Sequence, residues 1–317
     1  MTGSVKADFM GLPWHDLGFM EEKKLLTEGA KLCFAQSNES NSNSLPTVVF
    51  LHGVLRNWRS FYPLLKALRG QANLVSIDFR GHGGSDPNPN AYSVANYVED
   101  AVRLLESLPN PVILYGHSLG AMVALATAAQ IPKRIEAAIL EDPPFSTMGG
   151  RLLNTPLLTY FQGVEAVVQN EAIYAASQRE SNHSEARIQR LHDAFSDIAV
   201  ATRPDGSIVR VRDQRDVLSR KFSAEGLARL DPHVLAPITA GQWLNGYDLD
   251  SFLQSIQSKV VLLRADSACG GMLTSHEADH IIQRLGGLCE PIYFPGVGHS
   301  LHWAKPRELT ELVFGQF

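Results

Sequence analysis

A serine held between two glycines and a histidine close to the C-terminus are the residues of this chain best suited to covalent chemistry. Ser118 stands in Gly116-His117-Ser118-Leu119-Gly120, after the apolar run Val112-Ile113-Leu114-Tyr115 and before Ala121-Met122-Val123-Ala124-Leu125-Ala126. That order reads as strand, tight turn, helix. Bulky side chains at positions 116 and 120 would collide with the backbones on either side, and a turn this sharp pushes one hydroxyl out into a cleft. A helix starting directly behind the serine offers unpaired N–H groups to a nearby negative charge, such as the oxyanion formed when a carbonyl is attacked. A serine hydroxyl is a poor nucleophile until a neutral imidazole accepts its proton. His299, in Pro295-Gly296-Val297-Gly298-His299, sits in a loop whose glycines let it reach back over the strand ends, which makes it the candidate base.

Five residues of Gly-x-Ser-x-Gly form occur in many unrelated loops, so the elements around them decide the reading. Met1 to roughly Asp16 shows no period and reads as a surface arm without assigned function. Lys24–Thr27 and Lys31–Ala35, with Gly29 between, read as a hairpin, and Ser37–Ser44 as a polar connector. Thr47–Leu51, Ala72–Ile77, Val112–Tyr115 and Ile135–Leu140 are short apolar runs of the kind found in strands buried on both faces. Helical spacing at Trp58–Leu68 and Tyr92–Leu108 separates them, and that alternation predicts a parallel sheet with helices on both faces. From about Phe145 to Ser255 the alternation stops; helical patterns at Leu152–Val168 and Glu185–Ile198, with a short Val209–Val211 segment, predict an inserted, mainly helical cap. The rhythm returns with a strand at Lys259–Arg264, a helix at Ser275–Leu285, a strand at Pro291–Phe294 and a last helix at Lys305–Val313. The expected organisation is an arm at 1–21, a catalytic domain at 22–144 and 256–317, and a cap at 145–255.

Composition excludes several classes. With 317 residues, 44% of them hydrophobic, the chain can bury a sizeable core, and a formal charge of −5 gives no reason to expect nucleic acid or an anionic membrane as a partner. Cys33, Cys269 and Cys289 form neither a disulfide framework nor a zinc-type pair, which fits a reducing cytoplasm. No run approaches the ~18 apolar residues that a membrane span requires, and the first thirty residues lack an export pattern.

Taken together the motifs resemble the α/β-hydrolase superfamily, in its capped, lipase- and esterase-like branch. The features that carry the resemblance are Leu51-His52-Gly53, Asp78-x-Arg80-Gly81-His82-Gly83-x-Ser85, the Ser118 turn, an acid after a late strand, and Gly298-His299 before the last helix. The resemblance implies the chain order nucleophile, acid, base. It implies an oxyanion hole made of the backbone N–H groups of Val54 and Leu119, and it requires no metal or other cofactor. The triad acid is where the sequence departs from the pattern. After the strand ending at Leu263 an aspartate is expected two residues later than Asp266, which follows Ala265 at once. Some relatives place the acid after the strand behind the nucleophile helix, where this chain has Asp142. Asp266 is favoured because it leads the loop nearest His299 in chain order, and Asp142 stays as the alternative.

Other chemical-looking residues read as structural. His52, His82 and His117 fit loop-shaping hydrogen bonds, while Asp78, Arg80 and Asp86 fit a braced turn. Cys269 has no base near it in sequence, His302 and Trp303 fit packing as well as substrate contact, and Arg210–Arg220 reads as a solvated face of the cap. His276-Glu277-Ala278-Asp279-His280 matches the H-E-x-x-H zinc pattern, but the helix falls where the sheet needs a plain crossover, so no metal is expected. The function expected is a serine hydrolase cleaving a carboxylic ester or related acyl compound through an acyl-enzyme, its partner a small-molecule acyl substrate. Lactone, thioester or C–C bond hydrolysis by the same triad is the first alternative, and a non-catalytic ligand-binding protein of the same fold the second. An epoxide hydrolase or dehalogenase would carry an aspartate at position 118. Leu153, Leu157, Phe161 and Trp243 in the cap suggest a nonpolar acyl or alcohol group.

Overall fold

The computed structural model describes residues 12–27, 31–38, 45–108, 111–149, 152–182 and 184–317. The proposed turn at Gly29 and most of the connector at 37–44 lie outside these residues, as does the start of the arm. Ten strands are present among the described residues: β1 (Met20–Leu26), β2 (Lys31–Ser37), β3 (Thr47–Leu51), β4 (Asn73–Asp78), β5 (Val112–His117), β6 (Ile135–Glu141), β7 (Ala199–Thr202), β8 (Ile208–Arg210), β9 (Lys259–Ala265) and β10 (Cys289–Phe294). Eight form one sheet in the order β1-β2-β4-β3-β5-β6-β9-β10, while β7 and β8 pair by themselves. β1 and β2 are antiparallel, β2 meets β4 antiparallel, and every later pairing in the large sheet is parallel. β3 and β5 are buried along their whole length, as expected for central strands covered on both faces.

Helices α1 (Tyr62–Leu68), α2 (Val94–Glu106) and α3 (Leu119–Gln130) connect the early strands. The expected helix at Trp58–Leu68 opens as a 3-10 turn, Trp58–Phe61, before Pro63 admits the α-helix in its first turn. α2 begins at a capping box in which Ser93 and Asn96 satisfy each other's backbone N–H groups. α3 is apolar all round because it lies between the sheet and other helices, and eleven of its twelve residues are buried.

The insertion contains α4 (Pro156–Gln178), α5 (Glu185–Ser196), α6 (Val211–Gln214), α7 (Val217–Ala228), α8 (Ala236–Thr239) and α9 (Leu249–Ser255). α4 runs ten residues past the expected end at Val168 and stops where Arg179 turns left-handed. The segment Val209–Val211 is one side of the β7–β8 hairpin followed by the first residue of α6. The sheet side closes with α10 (Ser275–Leu285), α11 (Leu301–Ala304) and α12 (Pro306–Phe314). Insertion and sheet share one core: Phe161, Val164, Leu235 and Trp243 pack in the same apolar cluster as Val98, Leu114 and Met122. The Trp243 carbonyl accepts from Val94 N at the start of α2, and Tyr247 Oη donates to the carbonyl of Met122 in α3.

The arm is less peripheral than expected. Trp14 is 1% exposed, donates its indole N–H to Glu225 of α7 at 2.9 Å, and meets Phe222 and Trp303 edge-on at 5.0 and 6.1 Å. It ties the N-terminal segment to both the insertion and α11. Trp14→Ala should therefore lower unfolding free energy by about 3 kcal/mol, measurable by denaturant titration, whereas a true surface arm would show a change near zero.

Candidate active site

Ser118 sits between β5 and α3 with φ 56° and ψ −117°, a backbone state that non-glycine residues rarely adopt and that marks a site over-determined by its surroundings. Its flanking glycines show why. A Cβ on Gly116 would lie 2.2 Å from the carbonyl oxygen of Gly120, and one on Gly120 would lie 1.8 Å from that of Leu51. The loop after β3 is pressed against the serine as well, since a Cβ on Gly53 would come within 3.2 Å of Ser118 Cβ and 2.9 Å of His117 Nδ1. Val54 and Leu119, the two expected oxyanion donors, thus lie on the two backbone segments that meet at Ser118. Neither N–H has an acceptor among the described residues.

His299 donates from Nδ1 to Asp142 Oδ2 at 2.6 Å. That bond leaves Nε2 with its lone pair, the form a general base needs. Asp142 is fully buried and follows β6 with φ 46°, a second strained residue. Burial works to raise its pKa, but the bond and charge of His299 and the N–H groups of Met272 and Leu273 outweigh it and hold the carboxyl below its ordinary value. Those N–H groups donate at 2.8 and 3.1 Å, with Ala265 N adding a third bond at 3.2 Å.

Asp266 is elsewhere. The expectation that it faces His299 is overturned: Oδ1 accepts from Ala268 N at 2.9 Å and Oδ2 from Gly296 N at 2.8 Å. Coming directly at the end of β9, it is too early to reach over the sheet, and it staples its own loop to the one carrying His299. Gly271 lets that loop fold tightly, because a Cβ there would meet the Ala265 backbone at 2.7 Å. The consequence is that the loop's N–H groups cradle Asp142 and the loop's aspartate does not approach the imidazole.

The histidines flanking the cleft have partners of their own. His52 donates from Nδ1 to the Gly53 carbonyl and accepts from Phe79 N, His82 donates to the Arg80 carbonyl, and His117 donates from Nε2 to the His299 carbonyl at 3.0 Å. Asp78 accepts from Trp58 N and Gly84 N, and Arg80 forms a buried pair with Asp100 at 2.6 Å. In the H-E-x-x-H stretch, Glu277 caps α10 together with Thr274 and accepts from Ser146 N, while His280 faces Asp250. Each of those groups thus has another partner, His276 excepted, which is exposed.

Beneath the site lies a network that sequence reading missed. Glu141, fully buried beside Asp142, accepts from Tyr115 Oη at 2.7 Å and from His302 Nδ1 at 2.8 Å. His302 is buried and its ring packs 4.8 Å from that of His117. The only sequence signal for it was an acidic residue next to Asp142 at a strand end. Ser118, His299, Met272 and Trp243 line one cavity of about 1020 Å³ roofed by the insertion, and Leu157 and Phe161 line it too, as expected. Leu153 is 46% exposed and is not among the lining residues. Arg215, expected on a solvated face, is half-buried at the cavity wall.

A serine at a strained strand-to-helix turn over a mostly parallel sheet, with a histidine–aspartate pair beside it, is what the comparison with known families answers to. Residues 48–312 match the model of the alpha/beta hydrolase family. The chain belongs to that family. It is similar to the serine hydrolase-like protein 2 of Homo sapiens, 30% identical over 214 residues that cover 60% of this chain and 67% of that one. It also matches 2-(acetamidomethylene)succinate hydrolase of Mesorhizobium japonicum, 33% identical over 106 residues, but that stretch spans 33% of this chain and only 38% of that relative. Among solved structures, a carboxylesterase of Bacillus subtilis superposes with a TM-score of 0.63 at 18% identity, covering 93% of this hydrolase-family chain and 90% of that one. Both of these relatives are named as hydrolases. No helix among the described residues is long and apolar enough to cross a membrane.

Proposed function

We propose that this α/β hydrolase is a serine hydrolase that cleaves a carboxylic ester or related acyl compound through an acyl-enzyme. The observation that carries the reading is the 2.6 Å bond to buried Asp142 from Nδ1 of His299, which lines the same cavity as the strained Ser118. In this reading Ser118 Oγ attacks the acyl carbon while His299 Nε2 takes its proton. Asp142 keeps the proton on Nδ1 and stabilises the imidazolium that forms, and the N–H groups of Val54 and Leu119 hold the oxyanion. Collapse of the tetrahedral species expels the alcohol, which takes the proton from His299. Water then repeats the sequence on the acyl-enzyme and frees the acid. The partner is a small-molecule acyl substrate. Its three free cysteines fit a cytoplasmic location.

A fluorophosphonate probe should label Ser118 of the native protein, identified by peptide mass spectrometry, and label neither Ser118→Ala nor His299→Ala at comparable rate. Equal labelling of wild type and His299→Ala would count against base-assisted attack. A panel of esters, lactones, thioesters and amides run on wild type and Ser118→Ala then separates the acyl classes this machinery could serve.

A further inference from the structure

Two arginines face the reaction cavity without a carboxylate bonded to them among the described residues. Arg56 follows the β3 loop two residues after Val54, and Arg215 lies between α6 and α7; both line the cavity that contains Ser118. The one side-chain hydrogen bond of Arg56 among the described residues goes to a neutral acceptor, Ser223 Oγ of α7, at 2.9 Å. Among the described residues Arg215 reaches only Tyr160 Oη, at 3.4 Å. Arg80 and Arg190 are paired with carboxylates, Arg80 with Asp100 and Glu99 and Arg190 with Glu171 and Glu180, whereas Arg134, Arg187 and Arg220 meet neutral acceptors outside the cavity. Asp216 also lines the cavity, but its carboxylate is engaged in capping α7 through Ser219 N at 2.8 Å.

Both guanidinium heads are held in place by aromatic faces. Arg56 lies 5.4 Å from the ring centre of Phe222, and Arg215 lies 5.5 Å from those of Tyr160 and Phe195. Their backbone supports are equally constrained. Leu55 holds φ 67°, and Gly226 of α7 is close enough that a Cβ there would touch the Leu55 carbonyl oxygen at 2.6 Å. Burial, and then the like charge of Arg215, push the Arg56 pKa down to about 10, so it remains a cation at neutral pH. Its charge reaches the nucleophile turn, where burial first, then His299, His302 and Arg56, hold the imidazole of His117 well below its ordinary pKa. Two cations set near one another in a largely apolar cavity are costly unless an anion completes the site. The planar fork of each suits carboxylate or phosphate oxygens.

We infer that the physiological substrate is an acyl compound carrying an anionic group of carboxylate or phosphate type, gripped by Arg56 and Arg215 while the scissile carbonyl lies at Ser118. This deepens the serine hydrolase reading and rests on it for the position of the carbonyl. The anion neutralises the two guanidiniums, and the apolar walls around Leu157 and Phe161 take the chain between.

The test compares two esters of equal chain length, 4-nitrophenyl hexanoate and the 4-nitrophenyl monoester of adipate, which differ by a terminal carboxylate. Wild type should show a kcat/KM ratio favouring the adipate ester by tenfold or more. Arg56→Gln and Arg215→Gln should each cut that ratio by about 10- to 100-fold, with Arg56→Lys recovering part of it. A ratio near one in wild type, or one unchanged within twofold in both glutamine variants, overturns the inference. Binding to Ser118→Ala by calorimetry separates this from the reading it rests on. Adipate should bind more tightly than hexanoate and lose that advantage when Arg56→Gln is added, and the same result in a protein that turns over no ester would sink the esterase reading alone. Equal binding of adipate and hexanoate overturns the anion site. Inorganic phosphate in the same titration decides between the two anions, and tighter binding of phosphate than of adipate assigns the pair to a phosphate group.

Discussion

Asp142→Asn should lower kcat on a turned-over ester by about four orders of magnitude, while Asp266→Asn should stay within about tenfold of wild type. The asymmetry follows from what each carboxylate touches. At position 142, an asparagine keeps the shape, and its oxygen can still accept from Ala265 and Leu273 N–H where Oδ1 now does. The amide nitrogen then faces His299 Nδ1, where Oδ2 now accepts. Two donors cannot share a bond, so the imidazole shifts its proton to Nε2, the nitrogen that must be free to accept one. The Met272 N–H also loses its acceptor, a cost of about 1–3 kcal/mol that a thermal melt will register. At position 266 the carboxylate holds two backbone N–H groups and leaves the imidazole alone. Steady-state kinetics on both variants, with melts to confirm folding, decide the matter; an inactive Asp266→Asn beside an active Asp142→Asn would restore the reading from chain order.

Gly120→Val should destabilise the fold by about 4 kcal/mol or more, the upper reach of overpacking costs, and abolish labelling of Ser118 with it. The first added carbon would lie 1.8 Å from the Leu51 carbonyl oxygen, an atom of a central strand that has no rotamer to yield. β3 is bonded on both sides, to β4 and to β5, so relief requires moving the helix instead. Moving α3 away shifts Leu119 N and the serine turn together. Gly287→Ala is the matched control, because its Cβ meets nothing within 4 Å and its backbone needs no left-handed turn, and it should leave denaturant midpoint and labelling unchanged. A stable, probe-reactive Gly120→Val protein would show that the close approach is not needed to build the turn.

The sequence alone was sufficient for the order along the chain of the elements in the sheet and for the strand, turn and helix that hold Ser118. A run such as Thr47–Leu51 is of the kind found in strands covered on both faces, and glycines at 116 and 120 leave few turns open to the serine between them. The bounds of α10 match the expected 275–285, its start held by the local Thr274–Glu277 cap, whereas the end of α4 depends on contacts and runs past the expected one. The partner of His299 was not legible, because Asp142 and Asp266 both end parallel strands and chain order ranks them by a loop length that folding overrides. Which one meets the imidazole depends on how the loop after β9 curls, and that loop turns its N–H groups toward Asp142. Trp14, Glu141 and the cavity-facing Arg56 and Arg215 carry no local signature either. Trp14, Glu141 and Arg56 are defined by residues more than 100 positions away, at Phe222, His302 and Ser223, and Arg215 by Tyr160 in α4, and only the closed tertiary structure brings those partners together.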